Sequence, residues 1–175
     1  MPASFVSVWD PLVRIAHWSV AILVAVEMLN EAGANPWHRY LGYAAGALVM
    51  VRLAWGLFGS RYARLTAMAH RAKHVVSYLR SAQRAGVQSY AGHNPLGACM
   101  AFALWLLVLL VVITGGLLQL DAFWGDDTMQ AVHAAASYVL AACALVHVAG
   151  VLVTSAVHRT HLVRGMITGK KARPE

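Results

Sequence analysis

Charge is what this sequence has least of. Only 12% of its 175 residues are charged, against 59% hydrophobic residues and a mean hydropathy of +0.58, where a soluble domain carries about 25% charged residues. The deficit argues against an ordinary water-soluble globule. Cysteine is also sparse. Cys99 and Cys143 both lie in apolar stretches, and no C-x-x-C-H occurs. Covalent c-type haem attachment is therefore unsupported, two thiols cannot hold an iron–sulfur cluster, and both read as small core residues. Acid is missing regionally. The segment with Arg61, Arg64, Arg71, Lys73, Arg80 and Arg84 contains no Asp or Glu.

What is present instead is four long apolar runs, Ile15–Leu29, Tyr40–Phe58, Leu96–Leu120 and Ala131–Val157. Each approaches or exceeds the ~20 residues that take a helix across a bilayer, the first once its flanks are added. The expected fold is an all-α integral membrane protein, one membrane domain over residues 1–175. Its four transmembrane helices are expected at about 12–31, 38–58, 95–119 and 129–158, with a loop at about 60–93. Within that loop, His70 to Ala85 sets Val75, Val76 and Leu79 against basic residues, the pattern of a short interfacial helix on anionic headgroups or of a solvated linker. Ala32-Gly33-Ala34 resembles a cleavage site, but the first twelve residues hold no base, so the first run reads as a retained helix and not a signal peptide.

The bases also set orientation. The basic loop and a tail with Arg159, Arg164, Lys170, Lys171 and Arg173 alternate with two short connections, one carrying Glu31 and the other Asp121, Asp126 and Asp127 without Lys or Arg. The positive-inside rule places both termini and the long loop in the cytoplasm. The net charge of +7 and pI near 9.9 then record topology, and the rival reading of a basic chain, nucleic-acid binding, is set aside.

Nine histidines remain. His70, His74, His93, His158 and His161 fall in the basic loop, at its edge or in the tail, and are expected to be solvated. His17, His38, His133 and His147 belong to the membrane helices, where polar groups are costly and usually functional. His133 and His147 are fourteen residues apart, close to four helical turns or about 21 Å, so they share a helix face with one near each leaflet. His17 opens the first helix on the cytoplasmic side and His38 opens the second on the other. Two levels with two imidazoles each suit two six-coordinate haems stacked in a four-helix bundle. Packing histidines are the bland alternative. Zinc is the other ligand reading, but it asks for three or four ligands at one depth.

The stretches VWDPLVRIAHW (Val8–Trp18), HRYLGY (His38–Tyr43), RLAWGLFGS (Arg52–Ser60), GHNPLGA (Gly92–Ala98) and TGG (Thr114–Gly116), with the His133/His147 pair, resemble the bacterial cytochrome b561 family, which includes the cytochrome b subunits of nickel–iron hydrogenases. The resemblance runs over about residues 8 to 160. It implies a multi-pass protein of the bacterial inner membrane carrying electrons through two b haems, between the quinone pool and a periplasmic c-type cytochrome or dehydrogenase subunit. Carried onto this chain, His17 and His147 would ligate the cytoplasmic-side haem iron, and His38 and His133 the periplasmic-side one. Arg52 matches an arginine of the family and would meet a haem propionate, or else snorkel as a lipid anchor. Arg14, one turn before His17, is a second propionate candidate.

Other features admit two readings. Gly42, Gly46, Gly97, Gly115, Gly116 and Gly150 allow close helix approach or leave room for a flat macrocycle. Trp18, Trp37, Trp55 and Trp124 near the run ends look like interfacial belt residues. Glu27 reads either as a proton acceptor for a quinol or as an ordinary polar residue near the boundary. Two axial imidazoles leave iron no open position, which argues for a relay. The alternatives are a stand-alone superoxide:quinone oxidoreductase, as some family members resemble, and a non-redox bundle or transporter. The acids Glu31, Asp121, Asp126 and Asp127 favour a basic cytochrome as partner over anionic superoxide.

Overall fold

The computed structural model describes residues 5–30, 35–85, 90, 92–157 and 160–172. Glu31, the Ala32-Gly33-Ala34 stretch, His158, Arg159 and Arg173 lie outside the described residues. Four helices are long and apolar enough to cross a membrane: α1 (Pro11–Leu29), α2 (Pro36–Phe58), α5 (Pro95–Leu117) and α6 (Asp127–Val157). At about 1.5 Å per residue each covers the ~30 Å hydrocarbon layer or comes within a turn of it. The chain is an all-α membrane bundle.

Three spans start with the same device. Asp10, Asn35 and Asn94 each precede a proline, and each side chain accepts a bond from an orphan amide of the first turn: Val13 N at 3.0 Å, Trp37 N at 3.0 Å and Gly97 N at 2.6 Å. An Asx cap satisfies a donor the helix cannot, and proline at the first helical position gives up no bond. The α6 start is held likewise, with Asp126 Oδ1 accepting from Met129 N at 2.8 Å.

The basic loop is helical in two pieces, α3 (Leu65–Ala72) and α4 (Val75–Ala85), broken at Lys73 and His74. A single helix over 70–85 does not form. On α4, Tyr78 turns inward while Val76 and Leu79 are exposed, an apolar face suited to a headgroup layer.

The two ends of the described chain meet. Strand β1 (Phe5–Ser7) pairs antiparallel with β2 (Lys170–Ala172), which follows the short helix α7 (Leu162–Thr168). Val8 N and Trp9 N donate to Gly169 O at 2.8 and 3.1 Å, and Arg14 donates to Ile167 O. Gly169 has φ +79°, and a Cβ there would sit 2.6 Å from Trp9 O, so this reversal is a glycine position. Both ends therefore lie at one end of the bundle.

Packing among the spans is uneven. α1 packs on α2, α2 on α5, and α5 on α6, whereas α6 packs extensively on none of the spans but α5. The densest cluster joins Ala45, Val49, Val108 and Leu140 with Val20, Leu23 and Leu104. Elsewhere the spans turn large apolar side chains outward, among them Ile22, Leu106, Ile113, Leu145 and Leu152, as lipid-facing helices do.

Candidate functional site

The space between α6 and the α1/α2 pair is bridged by imidazoles. His17 on α1 faces His147 on α6 with ring centres 6.3 Å apart, and His38 on α2 faces His133 on α6 at 6.2 Å. The ring planes are inclined by 63° and 85°. A metal–imidazole bond of about 2.0–2.1 Å, with the ring centre about 1.1 Å beyond the nitrogen, sets two trans imidazoles about 6.3 Å apart whatever their twist. Both pairs are thus spaced to bind one metal between them. Among the described residues, no group of three or more His, Cys, Asp or Glu side chains converges.

Hydrogen bonds define the ring nitrogens of the second pair. Thr114 Oγ1 lies 3.0 Å from His133 Nδ1 and 2.9 Å from Leu110 O. The hydroxyl donates to the carbonyl, so it accepts the Nδ1–H, and Nε2 is left as the free lone pair. His38 Nδ1 lies against a carboxylate oxygen of Glu27, which can only accept, so the neutral ring carries its proton on Nδ1 and again leaves Nε2. Gly115 lies beside the His133 ring, where a Cβ would come 3.0 Å from Cε1. Built Cβ atoms at Gly42 and Gly150 meet nothing within 4 Å, and at Gly46 one meets Val112 at 3.0 Å. Gly46 is therefore a helix-contact glycine, and the other two leave open space.

Arg52 is 5% exposed, so it is no lipid anchor. Its Nη2 donates to Ala63 O at 3.0 Å, and the guanidinium lies 4.9 Å from the Trp105 ring centre. Nη1 of Arg52 and Nε of Arg14 are buried without partners among the described residues. Buried unpartnered donors are costly, and a propionate would satisfy both.

His93 corrects the expectation of a solvated loop residue. Its Nδ1 is buried without a hydrogen bond, and its ring stacks edge-on with Trp9 at 4.7 Å. Burial, then the charges of Arg52, Arg71, His17 and His147, push the imidazole down to about 3. It lies within electrostatic reach of His17 and His147, where Asn94 and Pro95 start α5 and Arg71 donates to His93 O at 2.7 Å. The sequence signal was its place beside a capping dipeptide. His70 and His74 are exposed and stack on each other at 5.1 Å, and His161 is exposed. Trp37 and Trp124 are exposed near span ends, whereas Trp55 turns its Nε1 to Asp10 Oδ2 at 3.1 Å.

That same Asp10 oxygen accepts from Ser60 Oγ at 2.6 Å. The sequence stretches around Asp10 and around Trp55 to Ser60 are thus one structural unit, joining the start of α1 to the end of α2.

The chain is thus a four-span helical bundle in which two pairs of imidazoles face each other. The family model of prokaryotic cytochrome b561 matches residues 8–169, and the chain belongs to that family. It is accordingly a multi-pass membrane protein that binds haem b and works in electron transfer. No curated protein matches the chain.

Proposed function

We propose that this chain relays electrons across the bacterial inner membrane through two b haems, between the quinone pool and a periplasmic redox partner. The observation that carries the reading is the pair of facing histidine couples, at 6.3 and 6.2 Å. His17 and His147 would hold the cytoplasmic-side haem, and His38 and His133 the periplasmic-side one. Both termini and the α3–α4 segment lie in the cytoplasm, where the bases concentrate.

Each haem, when bound, supplies a one-electron iron couple. The chain's residues do the rest. Two imidazoles would hold each iron and leave it no open position, so the group would supply electron transfer and not binding of oxygen or substrate. Thr114 and Glu27 fix the tautomers that present Nε2. Arg52 and Arg14 would pair with propionates of the haem held by His17 and His147. The exposed Asp121, Asp126 and Asp127 make the opposite face acidic, which steers a basic c-type cytochrome and repels superoxide.

Single His→Ala variants test the ligand set. His17→Ala and His147→Ala should each remove the same haem, and His38→Ala and His133→Ala the other, read as loss of about half the pyridine haemochrome signal. Loss of one spectral component in both the His17 and His38 variants would refute the pairing, and one haem per wild-type chain would refute the relay.

A further inference from the structure

The two histidine couples differ in what stands behind them. Behind His38 is a carboxylate. Glu27 lies near the C-terminal end of α1 and His38 in the first turn of α2, and a Glu27 carboxylate oxygen meets His38 Nδ1, the side chains being 13% and 29% exposed. The base next in sequence is engaged elsewhere, with Arg39 Nη1 donating to Gln119 Oε1 at 2.7 Å. Behind His133 is the neutral Thr114 hydroxyl. Behind His17 and His147 there is no carboxylate at ion-pairing distance among the described residues. Instead, the buried Arg52 lies in their neighbourhood, beside His93.

A carboxylate within a span is expensive unless paired, and this one is spent on a ring nitrogen. A carboxylate only accepts, so His38 must carry its proton on Nδ1, and Nε2 is turned to the couple's interior. Histidines that bind metals commonly donate their second N–H in this way, which orients the ring and makes it a stronger base. The charge has a second effect. Ferric iron carries one more positive charge than ferrous iron, and in a low-dielectric interior a nearby fixed anion stabilises the ferric state more.

Resting on the ligand set proposed above, we infer that Glu27 is a positioning residue for the His38/His133 haem: its carboxylate fixes the His38 ring and holds that haem at a lower potential than it would otherwise have. The effect is local to one of two haems, which makes it measurable against an internal control.

The test is an optical redox titration of the purified holoprotein, wild type against Glu27→Gln and Glu27→Asp. Gln keeps the shape and an acceptor oxygen and removes only the charge. Glu27→Gln should favour reduction of one haem about tenfold, or about 59 mV for a one-electron couple, and leave the other haem unmoved. Glu27→Asp, with the charge on a shorter arm, should shift the same haem in the same direction by less than half as much. Unchanged potentials in Glu27→Gln with both haems bound, or equal shifts of both, would overturn the inference. If Glu27→Gln loses a haem, Glu27→Asp decides, and an unshifted pair of potentials there overturns it. His38→Ala separates the two levels of the reasoning. If it retains both haems, the ligand set fails. If it loses one while Glu27→Gln shifts nothing, only the role of Glu27 fails.

Discussion

Replacing Asp10 by Ala should cost the protein about 3–5 kcal/mol, the sum of one helix cap at about 1 kcal/mol and two hydrogen bonds to a carboxylate at about 1.5 kcal/mol each, the low end for a half-buried group. The cap is the 3.0 Å bond from Val13 N, and the other two come from Trp55 Nε1 at 3.1 Å and Ser60 Oγ at 2.6 Å. These bonds tie the start of α1 to the end of α2, one turn and more below His17. The haem at the His17 level should therefore loosen before the one at the His38 level. Unfolding of the holoprotein in mixed micelles, followed at a Soret wavelength and by intrinsic fluorescence, measures both. The acid limb gives an independent check. Burial pushes the Asp10 carboxyl up, but hydrogen bonds from Ser60, Val13 N–H and Trp55 and the charge of Arg52 outweigh it and hold the group below its usual 3.8. A depressed folded pKa means the contribution is complete above the unfolded value and is lost as pH falls through the folded one, so the window opens below about pH 4. Asp10→Asn should flatten that limb. A loss of less than about 1 kcal/mol in Asp10→Ala, with an unchanged acid limb in Asp10→Asn, would refute the reasoning.

Two further outcomes are expected. Gly115→Val should displace the His133 ring, because the first added carbon already falls 3.0 Å from Cε1; haem content should drop by half, with the His17/His147 spectrum intact, and unchanged content would count against the placement. At the acidic end, Asp126 caps α6 through Met129 N, while Asp121 and Asp127 are exposed. Asp126→Ala should cost about 1 kcal/mol, whereas Asp121→Asn with Asp127→Asn should leave stability alone and slow low-salt electron exchange with a basic c-type cytochrome. An unaltered salt dependence in that double variant would end the docking idea.

The spans were legible in the sequence because hydropathy and length suffice to find them. The fourteen-residue interval between His133 and His147 was equally plain, since helical periodicity alone puts both on one face. Rotation of a helix about its own axis was not legible. Arg52 on an apolar run is compatible with lipid or interior, and only the packing of α2 on α3 and α5 turns it inward to Ala63 and Trp105. His93 was misread as solvated because nothing local buries it; Trp9 and Arg71 come from distant parts of the chain. The partnership of Glu27 with His38 was hidden for the same reason, as it depends on how two helix ends meet. The break at Lys73 and His74 escaped because the apolar and basic pattern runs through it.

The clasp between β1 and β2 sets a timetable for biogenesis. Its second strand comprises Lys170–Ala172, which follow all four spans in the chain. At about 5–20 residues per second, the stretch between the two strands takes roughly 10–30 s to make, and for that time the first strand has no mate. Helices α1 and α2 can associate as a hairpin early, but the closure that brings the start of α1 beside α7 waits until β2 has been made. Closure at that end of the bundle therefore follows synthesis of all four spans, and a chain stalled before α6 would present His17 and His38 to the membrane without the imidazoles that face them.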